Sequence, residues 1–150
     1  MLMNKPHPVH QDIAKIVGFV RSYFLGRLKQ EPIQFLNQII HDLRVSLQTI
    51  ITDHFMQLSL AEQREFRGFL SDQLSSVFAE CYGKHDHKDG WHPQYCIKEI
   101  MVCFEWAEQI KVEIPDDPIT QKILAVDIPI LRPFDYGFGP KKPISRPHKR

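Results

Sequence analysis

Between Cys81 and Cys96 the chain reads CYGKHDHKDGWHPQYC, which gathers two cysteines, three histidines and two aspartates. The outer frame is symmetric: His85 follows Cys81 by four residues, and Cys96 follows His92 by four. Residues four apart on a helix share a face, so each pair could chelate from one turn. One pair closing a helix and the other opening its antiparallel neighbour would offer Zn a tetrahedral set of Cys81, His85, His92 and Cys96. His87 would be a spare ligand, and Asp86 or Asp89 could orient an imidazole.

Other features favour a plainer reading. Gly83 is a helix-stop residue and would separate His85 from the face that carries Cys81. Cys81 follows Val77 by four and so extends an apolar stripe, and Cys96 shares a stripe with Cys103. An unliganded cysteine in such a position behaves as a small apolar residue. The stretch is therefore read first as a polar loop between two helices whose thiols face the core, with a Zn module as the alternative.

Nothing in the sequence asks for an enzyme. Cys81 beside His85 suggests a thiolate–imidazole pair, but a nucleophilic cysteine needs a positioned base and an oxyanion site, and no third group stands nearby. There is no Gly-rich phosphate loop, nucleophile elbow or two-histidine metalloprotease helix. His41 with Asp42 and Asp53 with His54 place ionisable pairs on one helix. His54 falls on that helix's apolar seam, which predicts an inward or interface position with a hydrogen-bonded ring.

A second candidate region lies at the C-terminal end. In PFDYGFGPKKP the rings of Phe134, Tyr136 and Phe138 alternate with Asp135 and Gly137. In an extended chain alternate side chains share a face, so the three rings would point one way. Ile130, Leu131 and Arg132 precede them, and together these residues form a candidate protein-binding arm, with the rings as anchors in a groove or at a sheet edge. The same arm could instead fold back over its own helices. Lys141, Lys142, Arg146, Lys149 and Arg150 would also suffice for weak, salt-sensitive contact with phosphates, as in an accessory subunit of a ribonucleoprotein.

The elements that must carry these regions are helical. From about Gln11 to Gln30, residues Ile13, Ile16, Val17, Val20, Phe24 and Leu28 recur at helical spacings. After Pro32, residues Ile33, Leu36, Ile40, Leu43, Leu47, Ile50 and His54 step by three and four, a coiled-coil-like seam. The other face of this second helix is mostly uncharged (Gln34, Asn37, Gln38, Ser46, Gln48, Thr49), which suggests a central helix or one lying against another subunit. SLAE at Ser59 is a capping-box pattern that opens a third helix. A fourth runs from near Pro93 to about Val112, with Cys96, Ile100, Cys103, Ala107 and Ile110 on one stripe. DDPITQKILAV could form a short fifth, with Asp117 as cap and Pro118 in its first turn.

From Ile128 onward the prolines forbid a helix. The expected fold is all-α: an antiparallel bundle of four helices plus a short fifth over residues 1–126, followed by an extended, basic arm over 127–150. Its charge is uneven. From Asp127 onward six Lys/Arg oppose two acids, giving the arm +4, so the +1 chain has a −3 body. Such a body does not resemble a dedicated nucleic-acid surface.

At 150 residues with 43% hydrophobic content, the chain can bury a core without disulfides. Three cysteines and an N-terminal MLMNKPHPVH without an apolar leader core suggest a soluble protein of the reducing cytoplasm, with no membrane span. The functional expectation is a non-enzymatic binding or scaffold protein. It would act as a subunit of a homo-oligomer or larger assembly and dock through the second helix and the aromatic arm.

Overall fold

A computed structural model of the chain describes residues 8–82 and 93–127. These form five α-helices: α1 (Pro8–Leu28), α2 (Ile33–Thr49), α3 (Leu60–Tyr82), α4 (Pro93–Glu113) and α5 (Pro118–Ala125). The α2 rod continues through a π-turn (Ile50–His54) and a 3₁₀ turn (Phe55–Gln57) before it stops. No strand occurs among the described residues. The fold is all-α, as the periodicities predict.

Each helix buries most of the stripe that its sequence marks out; Ile33, at the open end of the α2 seam, is instead about half exposed. Ile13, Ile16, Val20 and Phe24 of α1, Leu36, Ile40, Leu43 and Leu47 of α2, and Phe66, Leu70, Leu74 and Val77 of α3 are all buried. So are Cys96, Ile100, Cys103, Ala107 and Ile110 of α4. These residues form one continuous core. Full burial of each large aliphatic or aromatic side chain contributes about 1.5–3 kcal/mol relative to leaving it in water.

The helix ends follow from local chemistry. Gln30 adopts the left-handed conformation (φ 59°) that closes α1. Its N–H donates to Arg27 O, and Glu31 N–H donates to Gly26 O at 2.8 Å, the paired bonds of a Schellman motif. At the start of α3, Ser59 N–H donates to Glu62 Oε1 at 2.8 Å, and Glu62 N–H donates to Ser59 Oγ at 3.1 Å. This is the reciprocal capping box that SLAE predicts. Asp117 caps α5 by accepting from Thr120 N–H (3.1 Å) and the Thr120 hydroxyl (2.7 Å). Those bonds hold its carboxyl below the usual range.

The helices alternate in direction, so α1 runs antiparallel to α2, and α3 to α4. α1 packs against both α2 and α3, and α3 packs against α4. The ring of His10 meets Phe69 edge-on at 5.7 Å, and further along the same two helices Arg21 pairs with Glu80 at 3.4 Å. Both partners advance together, so α1 and α3 are parallel neighbours. The inner helices are therefore α1 and α3, each packed against two others, and α2 lies outside them. At Gly26 a Cβ would lie 2.7 Å from Leu36 Cδ2, so the missing side chain is what lets α1 and α2 approach closely there.

Candidate interaction surface

The α2 seam does not run straight to its end. Phe55 N–H donates to the carbonyls of both Ile50 and Ile51, and the bond to Ile50 spans five residues in place of four. The Thr52 hydroxyl donates back to Gln48 O at 2.9 Å, a bond that competes with the regular ladder. A π-turn inserts one residue and rotates the next turn of helix by about 100°. Ile51, Phe55 and Met56 consequently face the core, while His54 does not.

This corrects the expectation for His54. Its side chain is 53% exposed, and Nδ1 lies 2.9 and 3.0 Å from the two carboxylate oxygens of Asp12. A carboxylate only accepts, so Nδ1 carries the proton and donates, tying the start of α1 to the π-turn. The ring is hydrogen-bonded as expected, but at the surface. His41 and Asp42 are solvated or paired within the helix rather than arranged as an acid–base site: His41 is exposed, and Asp42 accepts from Gln38 Nε2 at 2.9 Å within α2.

Among the described residues, the buried polar side chains Asp12, Gln63, Glu108 and Gln121 all lie at this end of the bundle. Two of them, Gln63 and Gln121, serve backbone carbonyls, and Asp12 and Glu108 pair with His54 and with two arginines. Gln63 Nε2 donates to Phe55 O at 2.9 Å, and Gln121 Nε2 donates to Ile114 O at 2.6 Å. Glu108 accepts from Arg64 Nε at 3.0 Å and from Arg67 Nε, which clamps α4 to α3. Burial pushes the Glu108 carboxyl up, but the two guanidinium groups outweigh it and hold the group below its ordinary value.

Beside this clamp lies a groove of 660 Å³, lined by Thr52, Met56, Lys111, Ile119, Ile123 and Val126 among others. α5 forms one wall. Ile119, Ile123 and Val126 recur on one face of it and are 74%, 62% and 58% exposed. The cations at the rim are already engaged: Lys111 Nζ donates to Met56 O at 3.1 Å, and Lys122 Nζ lies 3.7 Å from Asp53 Oδ1. The groove is thus an apolar trough rimmed by two cations, of which Lys122 is paired with an acid. Its signal was present in ITQKILAV as spacings of four and three, but eight residues cannot say which of their faces will lack a neighbour.

α2 leaves three apolar side chains partly in water: Ile33 and Phe35, each 48% exposed, flank its buried stripe on opposite sides, and Val45, 54% exposed, stands on the outer side. The prediction that this helix lacks a Lys/Glu coat holds, although it is peripheral rather than central.

Of the proposed Zn ligands, Cys81 and Cys96 lie on α3 and α4 and are buried, as is Cys103. Burial, and secondarily the Glu99 carboxylate, pushes the Cys96 thiol well up and Cys103 to about 12. Both shifts favour the thiol over the thiolate at Cys96 and Cys103. His85, His87 and His92 lie outside the described residues, and so does the arm with Ile130, Leu131, Arg132, Phe134, Tyr136, Phe138 and the basic Lys141, Lys142, Arg146, Lys149 and Arg150. Among the described residues no three His, Cys, Asp or Glu side chains cluster as a metal site would require, and no helix is long and apolar enough to cross a membrane. Comparison with family models, with curated proteins and with solved structures finds no match.

Proposed function

We propose that this protein is a non-enzymatic helical binding or scaffold protein. It acts as a subunit of a homo-oligomer or larger assembly in the reducing cytoplasm and docks through the outer face of α2 and the C-terminal aromatic arm. The observation that supports this most is the exposed surface of α2. Ile33, Phe35 and Val45 stand about half in water, the polar side chains Gln34, Asn37, Gln38, Gln48 and Thr49 are uncharged, and no Lys or Glu lies on the helix. Exposed apolar side chains among uncharged polar ones match the composition of an interface.

Aromatic and aliphatic anchors in the centre of an interface carry most of its binding energy. Phe35→Glu with Val45→Glu should therefore lower association at least tenfold and leave helical content by circular dichroism unchanged, because neither side chain belongs to the buried core. Removing residues 128–150 should weaken association separately. Unaltered association in both variants rejects the reading.

A further inference from the structure

The trough beside α5 combines an apolar wall with a positive charge that no acid answers. Its volume, 660 Å³, lies in the range of roughly 300–1,000 Å³ typical of sites that enclose a small ligand. Among the described residues its lining holds two lysines and no Asp or Glu. The two lysines differ. Lys122 lies 3.7 Å from Asp53 Oδ1 and so has a counter-charge. Lys111 is half-buried, and its one bond goes to the neutral carbonyl of Met56 at 3.1 Å. An ammonium group carries three N–H donors, so two remain, and no carboxylate among the described residues pairs with it. A half-buried charge in this state favours a ligand that brings one negative charge of its own.

We infer that the trough binds a straight-chain aliphatic carboxylate, with its head on Lys111 and its chain lying along α5. Three observations carry this. First, the apolar wall is linear. Ile119, Ile123 and Val126 recur in steps of four and three along one face, over about 10 Å. That shape suits an unbranched chain, and Met56 across from it is a flexible, polarizable side chain that adapts to methylenes. Second, the unanswered charge is single. With Lys122 matched by Asp53, the site calls for a monoanion rather than a phosphate of charge near −2. Third, the trough is small. An eight-residue helix about 12 Å long and about 10 Å wide gives a footprint on the order of 100 Å². A stable protein interface needs roughly 800 Å² per partner, so the trough alone does not hold a folded partner or a second copy.

Methyl-resolved NMR of the full chain, titrated with octanoate and with decanoate, tests this. Saturable shifts of the Met56, Ile119 and Ile123 methyl resonances are expected. Affinity should rise about two- to fourfold for each added methylene, as partial to full burial of a CH₂ requires. Lys111→Met removes the charge and keeps an apolar stem. It should weaken decanoate about fivefold or more and leave the binding of uncharged 1-decanol nearly unchanged. Lys122→Met should weaken decanoate less, because Asp53 already meets that charge.

No saturable shift with decanoate in the parent chain would overturn the site. A decanoate affinity unmoved by Lys111→Met would overturn the carboxylate assignment. Loss of decanol together with decanoate in Lys111→Met would make the lysine a structural prop and overturn its role as the head site. In the ligand-free chain, Overhauser contacts to the Ile119 and Ile123 methyls from another segment or from a second copy would give the trough to that occupant instead. None of these outcomes bears on the association test of Phe35 and Val45, so the two readings fall separately.

Discussion

Two apolar clusters lie side by side where α2 becomes irregular, and they meet opposite fates. Phe55, Phe66 and Phe104 form a closed knot, with ring centres 5.0 to 5.2 Å apart and Phe55 edge-on to both partners. One residue further on, Met56 turns toward the trough, whose opposite wall of Ile119, Ile123 and Val126 stays largely in water. The residue types are similar. What differs is the number of elements that converge: the α2 extension, α3 and α4 enclose the knot, while α5 leans on the bundle with one side only. Burial is decided by neighbours supplied from elsewhere in the chain, and a short helix added last has few to draw on.

The sharpest way to break this comparison is to truncate a member of each cluster. Phe104→Ala should cost about 3–5 kcal/mol in urea denaturation, the transfer and cavity terms of a fully enclosed ring. Ile123→Ala should cost at most about 1 kcal/mol, because a side chain more than half in water loses only part of its transfer energy. Equal costs would mean that the trough is core.

The polar rim of the closed region gives the next largest effect. Glu108→Gln removes the charge that two guanidinium groups share and should cost about 1–3 kcal/mol at neutral pH. The folded-state carboxyl is depressed, so its contribution is complete above the unfolded carboxylate value of about 4.3 and is lost as pH falls through the folded value. The gap between parent and variant should therefore close with acidification below about pH 4.3. A gap that stays constant in acid would reject the clamp.

A smaller contrast of the same kind exists within α1. Gly18 has no atom within 4 Å of where a Cβ would stand, whereas Gly26 faces Leu36. Gly18→Ala should stabilise by up to about 1 kcal/mol through helix propensity alone. Gly26→Ala gains the same propensity but must displace the buried Leu36, and it should be destabilising by about 1 kcal/mol on balance. Thermal midpoints that move in the same direction would contradict the close approach of α1 and α2.

Much of this architecture was legible in the residues. The α4 stripe from Cys96 to Ile110, the capping box at Ser59 and the Asp117–Pro118 start of α5 all follow from spacing and local hydrogen bonding, which neighbouring residues alone determine. The seam of α2 was legible only as far as Ile50, because a π-turn depends on which register lets Ile51 and Phe55 reach the core, and periodicity assumes that no residue is inserted. The inward position expected for His54 fails for that reason. Asp12 carried no signal, since its partner lies 42 positions away in sequence. The parallel packing of α1 and α3 is likewise set by tertiary contact. For the candidate surfaces, the uncharged face of α2 could be read directly, while the trough required knowing which side of α5 the bundle leaves uncovered.

The claim that these open faces serve assembly is tested most directly by the mass of the chain in a gentle lysate of the cells that produce it. Sedimentation should place the parent well above its 17.6 kDa monomer mass, and Phe35→Glu with Val45→Glu should return it toward that value. A parent that sediments as a 17.6 kDa monomer, both in the lysate and after purification, would contradict the account.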